Sequence, residues 1–256
     1  MQRKWLSILL VVAAILVIAV QPAAAVSTTV VISEFRTRGP GVAGDGSDVA
    51  DDQFIELYNL SPVSVDITGY SINTWDATYG DMVGIAQLGS GGSVILGPYE
   101  HYLIVNGFGY SGGTAPDDSF FLPILADAVG IALVAADGTT IVDAVSTTND
   151  GANPYFEGAS LAAMTLDNDQ SYERLPATAG IAPNNGHINT EDSDDNGADF
   201  TFNAVSSNPE SQAAGSPTAV VLRDLRVQAQ SPAVWLPVAV LIVLGGALLV
   251  SRRRRA

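Results

Sequence analysis

The segment TEDSDDNGADF, residues 190–200, gathers five acidic residues in one short stretch. Within it Asp192, Asp194, Asn196 and Gly197 reproduce D-x-[DN]-x-[DN]-G, the first half of a calcium loop. Alternate oxygen-bearing side chains can converge on a hard cation, and the glycine permits the sharp turn that brings backbone carbonyls in. The twelfth position, counted from Asp192, is Asn203, where an EF-hand needs a bidentate Glu. Glu191, Asp195 or Asp199 would have to replace it. Two readings follow: a calcium site at Asp192, Asp194 and Asn196, with calcium as the single candidate cofactor, or a solvated acidic loop.

The rest of the chemistry-bearing residues are sparse. Cysteine is absent, which removes disulfides, thiolate nucleophiles and cysteine-based metal sites. Histidine occurs twice, at His101 and His187. His101 stands beside Tyr102 at a strand start and reads as a surface residue, and His187 lies in a loop. No nucleophile elbow accompanies either, so the expectation is a protein that is not an enzyme. Asp45, Asp48, Asp51 and Asp52 form one further acidic group and Asp167, Asn168 and Asp169 another, both read as solvated loops. Glu56 is the odd residue: in QFIELYN it shares one strand face with Phe54 and Tyr58, while Ile55 and Leu57 point the other way. A carboxylate buried there without a partner would cost several kcal/mol, so solvent or an ion pair with Arg36 or Arg38 is expected.

Those residues must be held by the elements between the two ends of the chain. Residues 1–25 have a basic start, an apolar run from Trp5 to Val20 and a small-residue finish, which predicts a signal peptide cut between Ala25 and Val26. Ala233–Val250 is an uncharged run of eighteen residues followed by Arg252–Arg255. This predicts a transmembrane helix over residues 232–251, a basic cytoplasmic tail at 252–256, and a single-pass type I protein of the cell membrane with its body outside the cytoplasm. Between the ends, five arginines face all 27 acidic residues, a net charge of −22. Nucleic acid is therefore not an expected partner, because tight binding to phosphates rests on Lys and Arg.

Short apolar and β-branched runs fill residues 27–205: Val30–Phe35, Phe54–Tyr58, Val65–Ile67, Tyr70–Thr74, Ser93–Leu96, Tyr102–Val105, Ile131–Ala135 and Thr140–Val145. Turn residues separate them, with Gly97-Pro98 and Asp137-Gly138 the clearest. Such spacing predicts an all-β fold of two antiparallel sheets over residues 26–205. The Ser-, Ala-, Pro- and Gln-rich residues 206–231 read as a polar stalk.

VVISEF, FIELYN, SVDITGYSI, GPYEHYLIV, IALVAADGTTIVDAV, SYERLP and DNGADFTFNAVSSNPES occur in that order. Together they resemble the lamin-tail domain family, in its secreted or membrane-anchored prokaryotic form, over residues 30 to about 215. The resemblance implies an immunoglobulin-like β-sandwich in which Glu34, Glu56, Asn59, Gly69, Asp143 and Arg174 belong to the framework. It also implies interaction rather than catalysis: adhesion, scaffolding or recruitment at the surface, toward an unidentified protein or polysaccharide. A calcium-dependent version of the same binding role is the alternative.

Overall fold

A computed structural model describes residues 29–41, 49–121, 125–175 and 192–212. The predicted signal peptide with its Ala25–Val26 junction, the apolar C-terminal run and the basic tail lie outside these residues, as do Asp45, Asp48, His187 and Glu191. Among the described residues, no helix is long and apolar enough to cross a membrane.

The regular secondary structure of the described residues is almost wholly strand. Six strands form one sheet: β1 (Val30–Arg36), β2 (Phe54–Asn59), β7 (His101–Asn106), β8 (Asp118–Phe120), β11 (Ser171–Arg174) and β12 (Phe200–Asn203). Their order is β12-β11-β1-β2-β7-β8, antiparallel except for the last pair. A second sheet contains β4 (Ser71–Asp76), β5 (Gly80–Gln87), β9 (Gly130–Val134) and β10 (Ile141–Ser146) in the order β10-β9-β4-β5. A two-stranded ribbon pairs β3 (Val65–Asp66) with β6 (Ile95–Leu96), and a short helix, α1 (Asn196–Asp199), leads into β12.

The core lies between the two larger sheets. Ile32, Phe35, Ile55, Leu57 and Ile104 from one meet Ile72, Ile131, Leu133 and Val145 from the other. Period-2 alternation produces this arrangement: Ile55 and Leu57 face inward, leaving Phe54, Glu56 and Tyr58 on the opposite side of β2. That opposite side is also closed to solvent, so all six residues of β2 are buried. Residues 206–212, expected to begin a stalk, run back against it. Asn208 donates its backbone N–H to Glu34 (3.2 Å), Glu210 to Glu56 (2.5 Å) and Gln212 to Asp117 (3.0 Å).

Two turn positions depend on particular residues. Gly69 has φ +80°, and a Cβ there would come within 3.2 Å of the Ala136 Cβ. Asn59 fastens the β2 end to the β6 end, its Nδ2 donating to the carbonyls of Val63 (2.8 Å), Leu96 (3.2 Å) and Gly97 (2.7 Å). Strands β5, β8, β11 and β12 match none of the predicted runs, although β11 and β12 fall in the SYERLP and DNGADFTFNAVSSNPES segments. Strand β5, GDMVGIAQ, lies at a sheet edge with half of its residues exposed, so it needs no continuous apolar run.

Candidate functional site: three enclosed charge clusters

Each described arginine or histidine with its acidic partners belongs to one of three clusters or to a surface pair. The first surrounds Glu56. Register sets Glu34 opposite Glu56 on β2 and opposite Glu173 on β11, so three glutamates stand in a row across the sheet. All three are buried. The register shift between Ile32 and Glu34 is a bulge at Ser33, whose Oγ donates to Glu56 Oε1. His101, opposite Tyr58 in the β2–β7 register, brings its Nδ1 within 2.8 Å of the same oxygen. Its Nε2 lies 3.4 Å from Glu210 Oε2, and its ring lies 4.6 Å from that of Tyr58.

This corrects two sequence expectations. His101 is 3% exposed, not a surface residue, and the partner of Glu56 is His101 rather than Arg36 or Arg38. Burial pulls the His101 pKa down, but the charge and hydrogen bond of Glu56, with Glu210 and Glu173 behind it, carry it above the ordinary value. Burial, then the Glu56 and Glu173 charges, push Glu34 well above the usual carboxylate range. Serine, histidine and glutamate thus meet, but not as a nucleophile relay. Ser33 donates to the carboxylate and not to the imidazole, whereas an activated serine needs the imidazole as its immediate base.

The second cluster holds Arg36, 1% exposed, between Asp52 and Asp169. Its Nε reaches the Asp52 carbonyl (3.1 Å), and its guanidinium lies over Phe54 at 5.0 Å. Ser111 completes Asp52 through its N–H (3.0 Å) and its Oγ (2.6 Å). Asp52 and Asp169, expected in solvated loops, are therefore structural partners. Asp167 pairs with Arg38 at 3.2 Å, and Asn168 donates to the Ala204 carbonyl at 2.7 Å.

The third cluster joins the two larger sheets. Asp143 follows a register shift on β10 and accepts the Ile32 N–H at the β1 bulge (2.5 Å). Arg174, wholly buried, donates through Nη2 to both Asp143 oxygens (2.9 and 3.1 Å) and through Nε to the Ile32 carbonyl (2.9 Å). Its Nη1 lies 3.3 Å from Asp192 and 3.6 Å from Asp199, and its guanidinium covers Phe200 at 4.6 Å. Burial outweighs this company and raises Asp143 to about 6. Glu157 enters from the irregular segment after β10, and Asp143, Glu157 and Asp192 each present an oxygen within 4.8 Å of the others. Burial, then the charges of Asp143 and Asp192, push Glu157 up to about 9.

The predicted calcium triplet is divided among different tasks. Asp192 turns to Arg174. Asn196 is buried, its Oδ1 accepting from Ser146 N (3.0 Å) and Glu157 N (3.3 Å) and its Nδ2 donating to the Ala144 carbonyl (2.9 Å). Asp194 adopts φ 58°, and Asp195 caps α1. The D-x-D-x-N-G pattern thus folds as a helix cap and a buried amide anchor. Of the six framework residues, Asp143 and Arg174 form this third cluster, Glu34 and Glu56 the first, and Asn59 and Gly69 hold turns. Glu157 had no sequence signal, since its segment is neither periodic nor motif-bearing. Comparison with protein-family models and with curated proteins finds no match for this chain.

Proposed function

We propose that this chain is a non-catalytic interaction module of the cell surface, a lamin-tail-like, immunoglobulin-like sandwich secreted through its N-terminal segment and held by a C-terminal membrane span. The observation that carries the reading is the contrast between closed polar clusters and outward aromatic groups. The buried acids and His101 are enclosed by their own chain, whereas Phe108 (59% exposed) and Phe121 (57%) meet edge to face at 5.5 Å on the outside. Paired rings held outward on an acidic surface offer rigid contact area to a protein or a polysaccharide at little cost in side-chain entropy.

A photo-reactive residue installed near Phe108 on the displayed full chain tests this. A cross-linked surface protein or polysaccharide, lost when Phe108→Ala and Phe121→Ala are combined, is the expected result. Absence of any adduct, together with hydrolytic turnover abolished by His101→Ala, would replace the reading with an enzymatic one. The calcium-dependent version of the binding role is favoured by one further observation, the enclosed carboxylate of Glu157, which bears on a cation site of its own.

A further inference from the structure

The described residues of the third cluster carry an excess of acidic charge. Among the described residues, Asp143, Asp192, Asp199 and Glu157 gather around one guanidinium, that of Arg174, so these four carboxylates and one cation carry three net negative charges when all are ionised. The other two described arginines are engaged elsewhere, Arg36 with Asp52 and Asp169, Arg38 with Asp127 and Asp167. Asp199 is also satisfied locally, by the N–H (2.8 Å) and Oγ (2.6 Å) of Ser193. Glu157 is not. It is 2% exposed, and both of its carboxylate oxygens are enclosed without a hydrogen-bond donor. A buried ionised carboxylate in that condition is strongly disfavoured.

The backbone nevertheless aims it at the cluster. Glu157 accepts the Asn196 N–H at its carbonyl (3.0 Å) and donates its own N–H to Asn196 Oδ1 (3.3 Å). Two residues on, the Ala159 carbonyl accepts the Gly197 N–H (2.8 Å), while the Ala159 N–H reaches Asp195 Oδ1 (3.0 Å). This zipper fixes residues 157–159 against 195–197 and leaves Glu157 facing Asp143 and Asp192. Asp194, whose Oδ1 is likewise enclosed without a hydrogen bond, acts on Glu157 through its charge.

We propose that the oxygens of Asp143, Glu157 and Asp192 bind a divalent cation of the calcium type at the junction of the two sheets. Oxygen-only ligands select a hard cation, and calcium tolerates irregular geometry where magnesium demands an octahedron and keeps its waters. Arg174 shares Asp143 and Asp192 with the ion, each carboxylate having lone pairs for both. The site differs from the D-x-D-x-N-G loop, keeping Asp192 and recruiting Asp143 and Glu157 from distant sequence while Asn196 serves the backbone. It stands whether or not the outer aromatic pair binds a partner.

The test uses the full chain in detergent, freed of metal by a chelator, then titrated with calcium chloride alone by calorimetry and thermal melting. A single saturable heat and a melting temperature that rises with calcium are expected. At 100 times the dissociation constant, the folded-to-unfolded ratio should increase roughly 100-fold. Glu157→Gln should lose that response, while its metal-free melting temperature stays close to that of the unaltered chain, because without metal the buried carboxyl is already held in its neutral form and the amide has the same size. Asp192→Asn is the second variant and should also lose the response. No saturable heat with no melting shift would overturn the site and leave Glu157 protonated. A calcium response undiminished in both variants would overturn it equally, by moving the ion to another part of the acidic surface.

Discussion

Replacing Arg174 by Met removes the one cation that the described residues bring to the inter-sheet cluster, while keeping most of the stem that lies on Phe200. Arg174 and Asp143 are both wholly buried, at 0% exposure, so in the folded chain each charge is met by the other rather than by bulk solvent. Removing one partner of a buried pair costs about 3–5 kcal/mol, chiefly because the other charge is stranded. That is a large part of the 5–15 kcal/mol typical of a folded domain, and corresponds to a fall in melting temperature of roughly 6–20 °C. The assay is urea unfolding of the full chain in detergent and chelator, followed by circular dichroism. Chelator is essential, since a cation in the cluster would offset the missing guanidinium. Adding Asp143→Asn neutralises the stranded acid while keeping an acceptor for the Ile32 N–H. The double variant should therefore recover a coupling energy of about 2–3 kcal/mol. A loss below about 1 kcal/mol for Arg174→Met, as exposed ion pairs give, would refute the reasoning, as would strictly additive effects of the two substitutions.

Two further outcomes concern the Glu56 cluster. His101, faced by Glu56, Glu210, Glu173 and the Tyr58 ring, has its folded pKa above 6.5, so its contribution is complete below that value and fades as pH rises through the folded one. Glu34, faced by Glu56, Glu173 and the Asn208 N–H, keeps in the fold a proton that the unfolded chain releases above about 4.5, so it too lowers stability as pH rises. The unfolding free energy from urea titrations between pH 5 and 8.5 should fall, by at most about 1.4 kcal/mol per pH unit for each group, and His101→Gln should flatten only the part above 6.5; a flat or rising curve contradicts both assignments. Separately, Glu210→Pro removes the N–H given to the Glu56 carboxylate and should cost about 1.5–3 kcal/mol, whereas Val205→Ala, at a 74% exposed position, should stay within about 0.5 kcal/mol. Equal effects of the two changes in denaturant midpoint would mean that residues 206–212 do not hold the sheet.

What the sequence made legible was local. Alternation in FIELYN assigned the inward and outward faces of β2 correctly, and Asp137-Gly138 marked the β9–β10 turn, where Gly138 adopts φ +72°. These features rest on side-chain period and backbone sterics, both carried by adjacent residues. Strand β8 is three residues long and pairs in parallel with β7, a contact no local pattern announces. His101 looked exposed because its neighbours say nothing about residues 206–212, more than a hundred positions away, which close over that face.

The acidic segment illustrates a deeper ambiguity. Asp, Asn and Gly suit a calcium loop because short side chains carry oxygens and tolerate unusual backbone angles. They suit a helix cap and a tight turn for the same reasons. Composition cannot separate the two uses, and the decision falls to whatever donors arrive from elsewhere. Here Ser146 and Glu157 supply the N–H groups that claim Asn196, and Arg174 claims Asp192. Without a donor remain Asp194 Oδ1 and, with both of its oxygens, Glu157, from a segment with no motif at all. The residue proposed to hold a cation is therefore singled out by its environment, two enclosed carboxylate oxygens without a donor, rather than by its sequence context.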